Sequence, residues 1–377
     1  MKQKKFLNNL KMEFDVIVMG GGATGTAVLR DLTMRGLEVA FIERGKIAMG
    51  TTSSSHHNLV GGMRYVMKDP IVAQECALEN EIISRTAPSI VRSNRNYFVG
   101  FRNEYTDRAL KQAGKLGIYY KEVDVQQAFR EIPELNRSID IVIETADRNI
   151  DVERFCVLNY KVGERNKGRL LEHTQVHKIE KDKNGYNIET NNGKLQAEVL
   201  VNATGVWVNS VAQKLGVKIP ILYSQGTIIV QKTLSPRGLQ YFHEPSDADA
   251  YIVHDGQGWL GTTSTSIRSP DDARPEEWAE EYLKERFSVI LPEIMAQETI
   301  NQFSGVRPLI KNGMRNGREV SRSFQIIEKP ENVYHVVGGK LTLARLMAEK
   351  VSDLVCDKLN KGSECRTMEE MLEGEVE

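Results

Sequence analysis

Cysteine is scarce in this chain of 377 residues: there are four, Cys76, Cys156, Cys356 and Cys365, and no two form a C-x-x-C pair. That spacing excludes a disulfide framework and a zinc or cluster site, so no metal is expected. Long apolar runs are missing as well. None approaches the length of a membrane span, and no signal-peptide pattern precedes the first strand. Charge of one sign is also missing: 50 basic residues nearly cancel 51 acidic ones, which argues against wholesale nucleic-acid binding. There is no internal repeat and no low-complexity tract. These absences leave a soluble, intracellular protein whose length suits two or three domains. Its first dozen residues, MKQKKFLNNLKM, are basic with Phe6, Leu7 and Leu10 interleaved. A tail is the expected reading, and an amphipathic turn touching a membrane is the alternative.

What is present is organised around Glu13 to Gly45, EFDVIVMGGGATGTAVLRDLTMRGLEVAFIERG. Asp15 to Met19 is a β-branched apolar run of strand length. Gly20, Gly22 and Gly25 then supply G-x-G-x-x-G around Ala23 and Thr24. The first glycine allows a tight turn, the second lets backbone approach a pyrophosphate, and the third lets helix and strand pack closely. Ala27 to Leu37 has apolar residues at helical spacing, with Gly36 at its end. Val39 to Ile42 is a second strand, closed by Glu43 roughly twenty residues after the glycines, where a carboxylate can bind ribose hydroxyls. Strand, helix, strand and acid in this order predict an adenine dinucleotide site.

Gly45 to Val66 is rich in Gly, Ser and Thr and reads as a functional loop, in which Thr52 and Ser53 suit phosphate or ring contacts. Asp69 to Ala87 reads as a solvated helix, and Asp107 to Glu134 as polar helical sequence broken at Pro133. Strands are expected at Ile139–Glu144, Leu170–Ile179, Gly185–Thr190 and Leu195–Gly205, with a helix beginning near Asp151. Tyr223–Val230, Ala250–Val253 and Trp259–Thr263 read as a separate sheet, followed by the amphipathic helix Glu276–Ile290. Dinucleotide-type strands recur near Val201 and Val337. The predicted fold is therefore α/β, a discontinuous Rossmann-like domain over residues 13–80, 150–215 and 325–360. Into it is inserted a mainly antiparallel β-sheet domain, α+β in class, over 81–149 and 216–324, with 1–12 and 361–377 as tails.

The stretches DVIVMGGGATGTAVLRDLTMRG, GMRYV, VNATGVWV, PSDAD, GTTSTS, SGVRPL, VSR and VGGKLTLARLMAE follow one another along most of the chain. Together they resemble the D-amino-acid-oxidase-like superfamily of FAD oxidoreductases. Within it they are most similar to the FAD-dependent glycerol-3-phosphate dehydrogenases, especially the catalytic A subunit of the anaerobic enzyme. The resemblance implies an FAD domain with an antiparallel substrate domain. The implied reaction is oxidation of sn-glycerol 3-phosphate to dihydroxyacetone phosphate, with hydride passing to flavin N5.

The resemblance also implies site residues. Gly20, Gly22, Ala23, Thr24, Gly25, Glu43 and Arg44 would hold the ADP part of FAD, with Thr52, Ser53 and Gly62 in the flavin loop. Val176 lies in the strand that offers backbone to the adenine, and Thr204 and Gly205 close a strand beside the cofactor. Gly305 and the run Gly338, Gly339, Lys340, Leu341 and Thr342 would meet the flavin, whose reduced form develops charge that a helix N-terminus can stabilise. Arg64, Tyr65, Arg307, Arg322 and Lys340 would bind the substrate, guanidinium groups being suited to a phosphate dianion.

Two features depart from the family pattern. Val60 stands where the family commonly has a histidine before the two glycines of the flavin loop, and valine cannot take a proton. His56 and His57 lie a few residues earlier, and base, flavin tether or neither are the roles open to them. Leu343 and Ala344 replace the usual threonine and tyrosine. The anaerobic catalytic chains of the family continue into a cysteine-rich domain after this point, so the expected electron acceptor is a separate protein, a quinone or oxygen. The competing readings are oxidation of another small anion, such as a 2-hydroxy acid (2-hydroxyglutarate among them) or an amino acid, and a non-catalytic flavoprotein subunit. The expected location is the cytoplasm, with peripheral contact on the inner face of the membrane left open.

Overall fold

The computed structural model describes residues 12–92, 94–245, 249–311, 317 and 320–372, and these divide into two compact units. The first comprises Met1–Ser53, Val152–Ile221 and Ser323–Glu377, and the second Ser54–Asp151 and Leu222–Arg322. The basic N-terminal stretch, residues 1–11, lies outside the described residues.

In the first unit the strand Met12–Met19 pairs in parallel with Val39–Ile42 on one side and Gly193–Asn202 on the other. Arg169–Leu171 extends the sheet at one end, and Val333–Gly338 at the other, with Phe324–Glu328 antiparallel at that edge. Val16, Ile17, Val18, Ala40, Leu200 and Val201 are fully buried, as central parallel strands covered on both faces require. The helices Val152–Arg165 and Ala344–Leu359 pack against the helix Ala23–Met34, whose Val28, Leu29 and Leu32 are fully buried. Each such side chain contributes about 1.5–3 kcal/mol of transfer free energy. Register then decides where the chemistry sits: Met19 lies beside both Ile42 and Asn202, and Asn202 beside His335. The carboxyl ends of the first three strands therefore line up beside the fourth, which runs on to Gly338, and ligands of open α/β sheets bind at such an edge.

The second unit holds a mainly antiparallel sheet in the order Thr265–Ile267, Ile221–Lys232, Gln257–Gly261, Ala250–His254, Leu239–Phe242, Tyr97–Gly100, Ile141–Thr145, Tyr120–Glu122. One internal pair, Leu239–Phe242 with Tyr97–Gly100, is parallel. Thr299–Ile310 pairs with Ile221–Lys232, so SGVRPL is part of a strand. Leu283, Phe287 and Ile290 pack with Val99, Val142, Ile229, Tyr251 and Leu260 to form its core.

Several local expectations are corrected. The first helix starts at Ala23, four residues before the apolar spacing begins, because Gly25 and Thr26 carry no apolar signal although they are buried. The run Asp107–Glu134 is two helices, Glu104–Leu116 and Val125–Glu131, separated by Gly117 in the left-handed region and the strand Tyr120–Glu122. Leu170–Ile179 is two strands separated by a turn with His173 at φ +52°. The first division between units falls at Ser53, where the sequence suggested residue 80. The helix Pro70–Thr86 sets its Ala73 and Ala77 among Met63, Phe98, Leu110, Ile118 and Phe242, and so groups with the second unit. The expected C-terminal tail is docked as far as it is described: Arg30 donates to the Glu370 carbonyl (2.9 Å), Arg345 to Thr367 Oγ1 (3.0 Å), and Leu372 is buried.

Candidate active site

The first unit's sheet edge forms a cradle made largely of backbone. Gly20, at φ +112°, turns the chain from its strand toward the helix that begins at Ala23. A Cβ on Gly25 would stand 1.8 Å from the Gly20 carbonyl oxygen, so only glycine lets helix and strand approach this closely. Gly22 caps the helix without a side-chain hydrogen bond, and no acid stands in the first turn. The positive end of the helix dipole lies at this turn, which suits a pyrophosphate. Thr52 Oγ1 accepts from the Ala23 N–H (3.1 Å), and Ser53 Oγ donates to the Gly50 carbonyl (3.1 Å).

Glu43 follows Ile42 at the same edge, and its two carboxylate oxygens accept from the N–H groups of Gly21 and Gly45, both at 2.6 Å. These bonds fix the carboxylate while leaving lone pairs for ribose hydroxyls. Arg44 lies 3.9 Å over the Trp207 ring, a cation–π contact. Thr204 Oγ1 donates to Asn202 Oδ1 (2.7 Å), and Gly205 follows in the left-handed region. Asn202 also donates to the Val208 carbonyl (2.9 Å) and lies 2.9 Å from His335 Nδ1, while His335 Nε2 lies 2.7 Å from the Lys329 carbonyl. Nε2 therefore carries the hydrogen and Nδ1 accepts. Burial pulls the imidazole's pKa down against that carbonyl bond, so the ring is held neutral. This buried chain from His335 to Thr204 escaped the sequence reading, because a histidine inside a strand has no distinguishing pattern. Gly338 and Gly339 lead to Lys340 and the short turn Leu341–Leu343 that opens the last helix, and Gly339 donates to the Ser323 carbonyl (3.0 Å). Val176 opens its strand half-buried, its side chain against the sheet core.

The second unit gathers the cations. Arg64 and Tyr65 sit on the short turn Met63–Tyr65, entered through Gly62 at φ +98°. Arg64 pairs with the buried Asp249; burial lowers its pKa, and Asp249 and Tyr65 more than restore it. Arg307 projects from the strand Thr299–Ile310 to the hydroxyl of Thr262, the carbonyl of Thr263 (3.4 Å) and Ser224 Oγ (3.4 Å), all neutral. Burial, reinforced by Arg322 and Arg64 and opposed by Tyr65, pushes the Arg307 pKa down to about 9. Arg322 is lowered too, by burial and Arg64 against Tyr65 and Asp69. Its Nη1 is buried and finds no hydrogen-bond partner among the described residues. Gly226 makes room for this arrangement, since a Cβ there would lie 2.4 Å from Arg307 Nη2. Gly305, on the same strand as Arg307, lies against the Ser54 carbonyl. Arg64, Tyr65, Arg307 and Arg322 thus form one electrostatic cluster, whereas Lys340 belongs to the first unit.

His57 is 7% exposed, with its ring 4.9 Å from that of His254 and 5.0 Å from Trp259. His56 is half-buried, and Val60 is buried. Asp147, also missed in the sequence, is fully buried and accepts from the Gly61 N–H (2.7 Å), Gln240 Nε2 (2.7 Å) and Asn58 Nδ2 (3.2 Å). Burial raises its pKa against those three bonds and Arg64. Asp147 thereby fixes the turn that leads into Gly62 and Arg64. Among the described residues no group of three or more His, Cys, Asp or Glu is arranged to hold a metal ion.

A family model described as FAD dependent oxidoreductase matches residues 15–354. The chain is 31% identical to the A1 subunit of the anaerobic glycerol-3-phosphate dehydrogenase of Haloferax volcanii, over 97% of this chain and 67% of that protein. It is 29% identical to the corresponding subunit of the anaerobic glycerol-3-phosphate dehydrogenase of Escherichia coli (strain K12), over 96% and 70%. It thus spans about two thirds of the length of these relatives. Among solved structures, the FAD-complexed glycerol-3-phosphate dehydrogenase from Bacillus halodurans superposes with a TM-score of 0.73 at 20% identity, over 97% of this chain and 68% of that one. Glycine oxidase from Geobacillus kaustophilus gives 0.74 at 20% identity, over 97% and 100%. At such identities the likeness is one of fold.

Proposed function

The chain belongs to the FAD-dependent oxidoreductase family, and from that premise we propose that it is a dehydrogenase of sn-glycerol 3-phosphate, forming dihydroxyacetone phosphate. FAD is its cofactor, and when bound it supplies an acceptor for the hydride that leaves the substrate carbon. The glycines from Gly20 to Gly25, Glu43, Thr52 and the turn at Gly338–Thr342 would hold it.

The observation that carries the substrate assignment is the surplus of buried positive charge around Arg307. Among the described residues its guanidinium meets only neutral oxygens, and Arg322 and Arg64 repel it. A phosphate dianion relieves that repulsion and accepts several guanidinium hydrogen bonds at once. In this reading Arg64, Tyr65 and Arg322 bind the phosphate, and Arg307 stabilises the alcohol oxygen as it loses its proton. His56 and His57 are the candidates from the flavin loop to receive that proton. The named anaerobic relatives are components of larger enzymes, and we infer a separate electron acceptor, a protein or a quinone, for this chain as well. No helix among the described residues is long and apolar enough to cross a membrane, so contact with a quinone pool would be peripheral.

An anaerobic titration of the purified holoprotein tests this reading. Glycerol 3-phosphate should bleach the oxidised flavin stoichiometrically. Bleaching by a 2-hydroxy acid or an amino acid, with none by glycerol 3-phosphate, would overturn it.

A further inference from the structure

We propose that Asp249 and His243 are a positioning pair for Arg64, and that protonation of His243 strengthens dianion binding at the arginine cluster. The proposal rests on reading that cluster as an anion site.

Asp249 is 2% exposed, and both of its oxygens are engaged: one takes the Arg64 guanidinium, and the other lies 2.9 Å from His243 Nε2. An ionised carboxylate only accepts, so Nε2 carries a hydrogen and Nδ1 is where a further proton adds. The imidazole side chain is one-fifth exposed, so solvent can supply that proton, and the Tyr241 ring lies 4.0 Å from it. With a neutral imidazole, the charges of Asp249 and Arg64 cancel. With an imidazolium, the three groups together carry one positive charge. Because Arg64 already acts electrostatically on both Arg307 and Arg322, the change behind it reaches the anion they hold. By reciprocity, a bound dianion favours the protonated imidazole.

Other titratable groups face this pair. Tyr105, pushed up to about 12 chiefly by burial, acts on Arg64, Glu244 and Asp249, and Tyr241, raised by burial, faces Arg286. Both phenols stay protonated through the range in question. Asp147, raised by burial, acts on Arg64 and can itself change charge in acid. A pH dependence in the wild type alone is therefore not diagnostic, and a His243 variant is needed.

The test is calorimetric titration of the FAD-loaded protein with sulfate, a dianion throughout, between about pH 5.5 and 8, the range in which a histidine changes charge. The wild type should bind sulfate about fivefold more tightly at the acid end, the order of effect of one added, partly screened charge. His243→Gln, with its flavin spectrum intact, should lose most of that ratio, any remainder being the share of Asp147. Asp249→Asn should lose the pH ratio, because the carboxylate that joins His243 to Arg64 is gone. A His243→Gln protein that keeps the wild-type ratio, or a wild type with no ratio, overturns the proposal. If sulfate binding is absent, or is indifferent to Arg307→Met, the anion-site reading fails first and this proposal with it.

Discussion

The cofactor cradle of the first unit and the arginine cluster of the second hold polar groups in opposite ways. In the cradle the side chains along the sheet edge are matched within the fold: Glu43 takes two backbone N–H groups, and His335, Asn202 and Thr204 form a neutral chain. In the cluster three guanidinium groups act on one another, and among the described residues only Arg64 has a directly paired carboxylate. The cradle is complete as backbone before any ligand arrives. The cluster holds buried positive charges that repel one another, and in the proposed function an anion relieves that repulsion. A site that recognises by shape is built from glycine and main chain, and one that selects by charge must leave charge unmatched.

The largest effect that would break this contrast is on the cradle. Gly25→Val should yield colourless protein, because the added side chain collides with the Gly20 carbonyl; the flavin absorbance of the purified variant checks it. Arg307→Met should keep the yellow colour yet slow flavin reduction by glycerol 3-phosphate about a thousandfold, as read by anaerobic stopped flow. The same variant should melt a few degrees higher than the wild type without anions, since it removes an unmatched buried cation. Saturating phosphate at about a hundred times Kd should stabilise the wild type by about 2.7 kcal/mol, with much less gained by the variant.

A smaller effect sharpens the matched side. His335 has a folded pKa below its unfolded value, so its contribution is intact above the unfolded pKa, about 6.5. It is lost as pH falls from there toward the folded pKa, because the unfolded chain then binds the extra proton. Denaturant melts should show a slope of up to about 1.4 kcal/mol per pH unit from this group, and His335→Gln should lose that slope. The smallest effect is expected for Thr52→Ala, which removes the acceptor for the Ala23 N–H: FAD affinity should drop about threefold to tenfold, measured by fluorescence on release.

Much of the cradle was legible in the chain because its determinants are local. Gly20, Gly22 and Gly25 have a fixed spacing, and Glu43 follows a short strand at a fixed distance. The cluster was legible only through resemblance, since Arg64, Arg307 and Arg322 are scattered over more than half of the chain. Asp249, His243, Asp147 and Gly226 were not assigned functions beforehand. Each matters through a neighbour distant in sequence, such as the Asp249 partner of Arg64 or the space that Gly226 leaves for Arg307. His57 also gained surroundings that the sequence did not show, its ring packed against those of His254 and Trp259.

By itself, then, the sequence determined the turn, the helix start and the acid of the nucleotide fingerprint, because steric and dipolar demands there act over a few residues. It also set the order in which the two sheets are assembled. Only the tertiary structure decided which charges are matched. Arg64 and Arg307 are both arginines in conspicuous motifs, but pairing across strands gave one a carboxylate and left the other among neutral oxygens. Electrostatic energy depends on distance through space and on burial, and neither is a property of position along a chain.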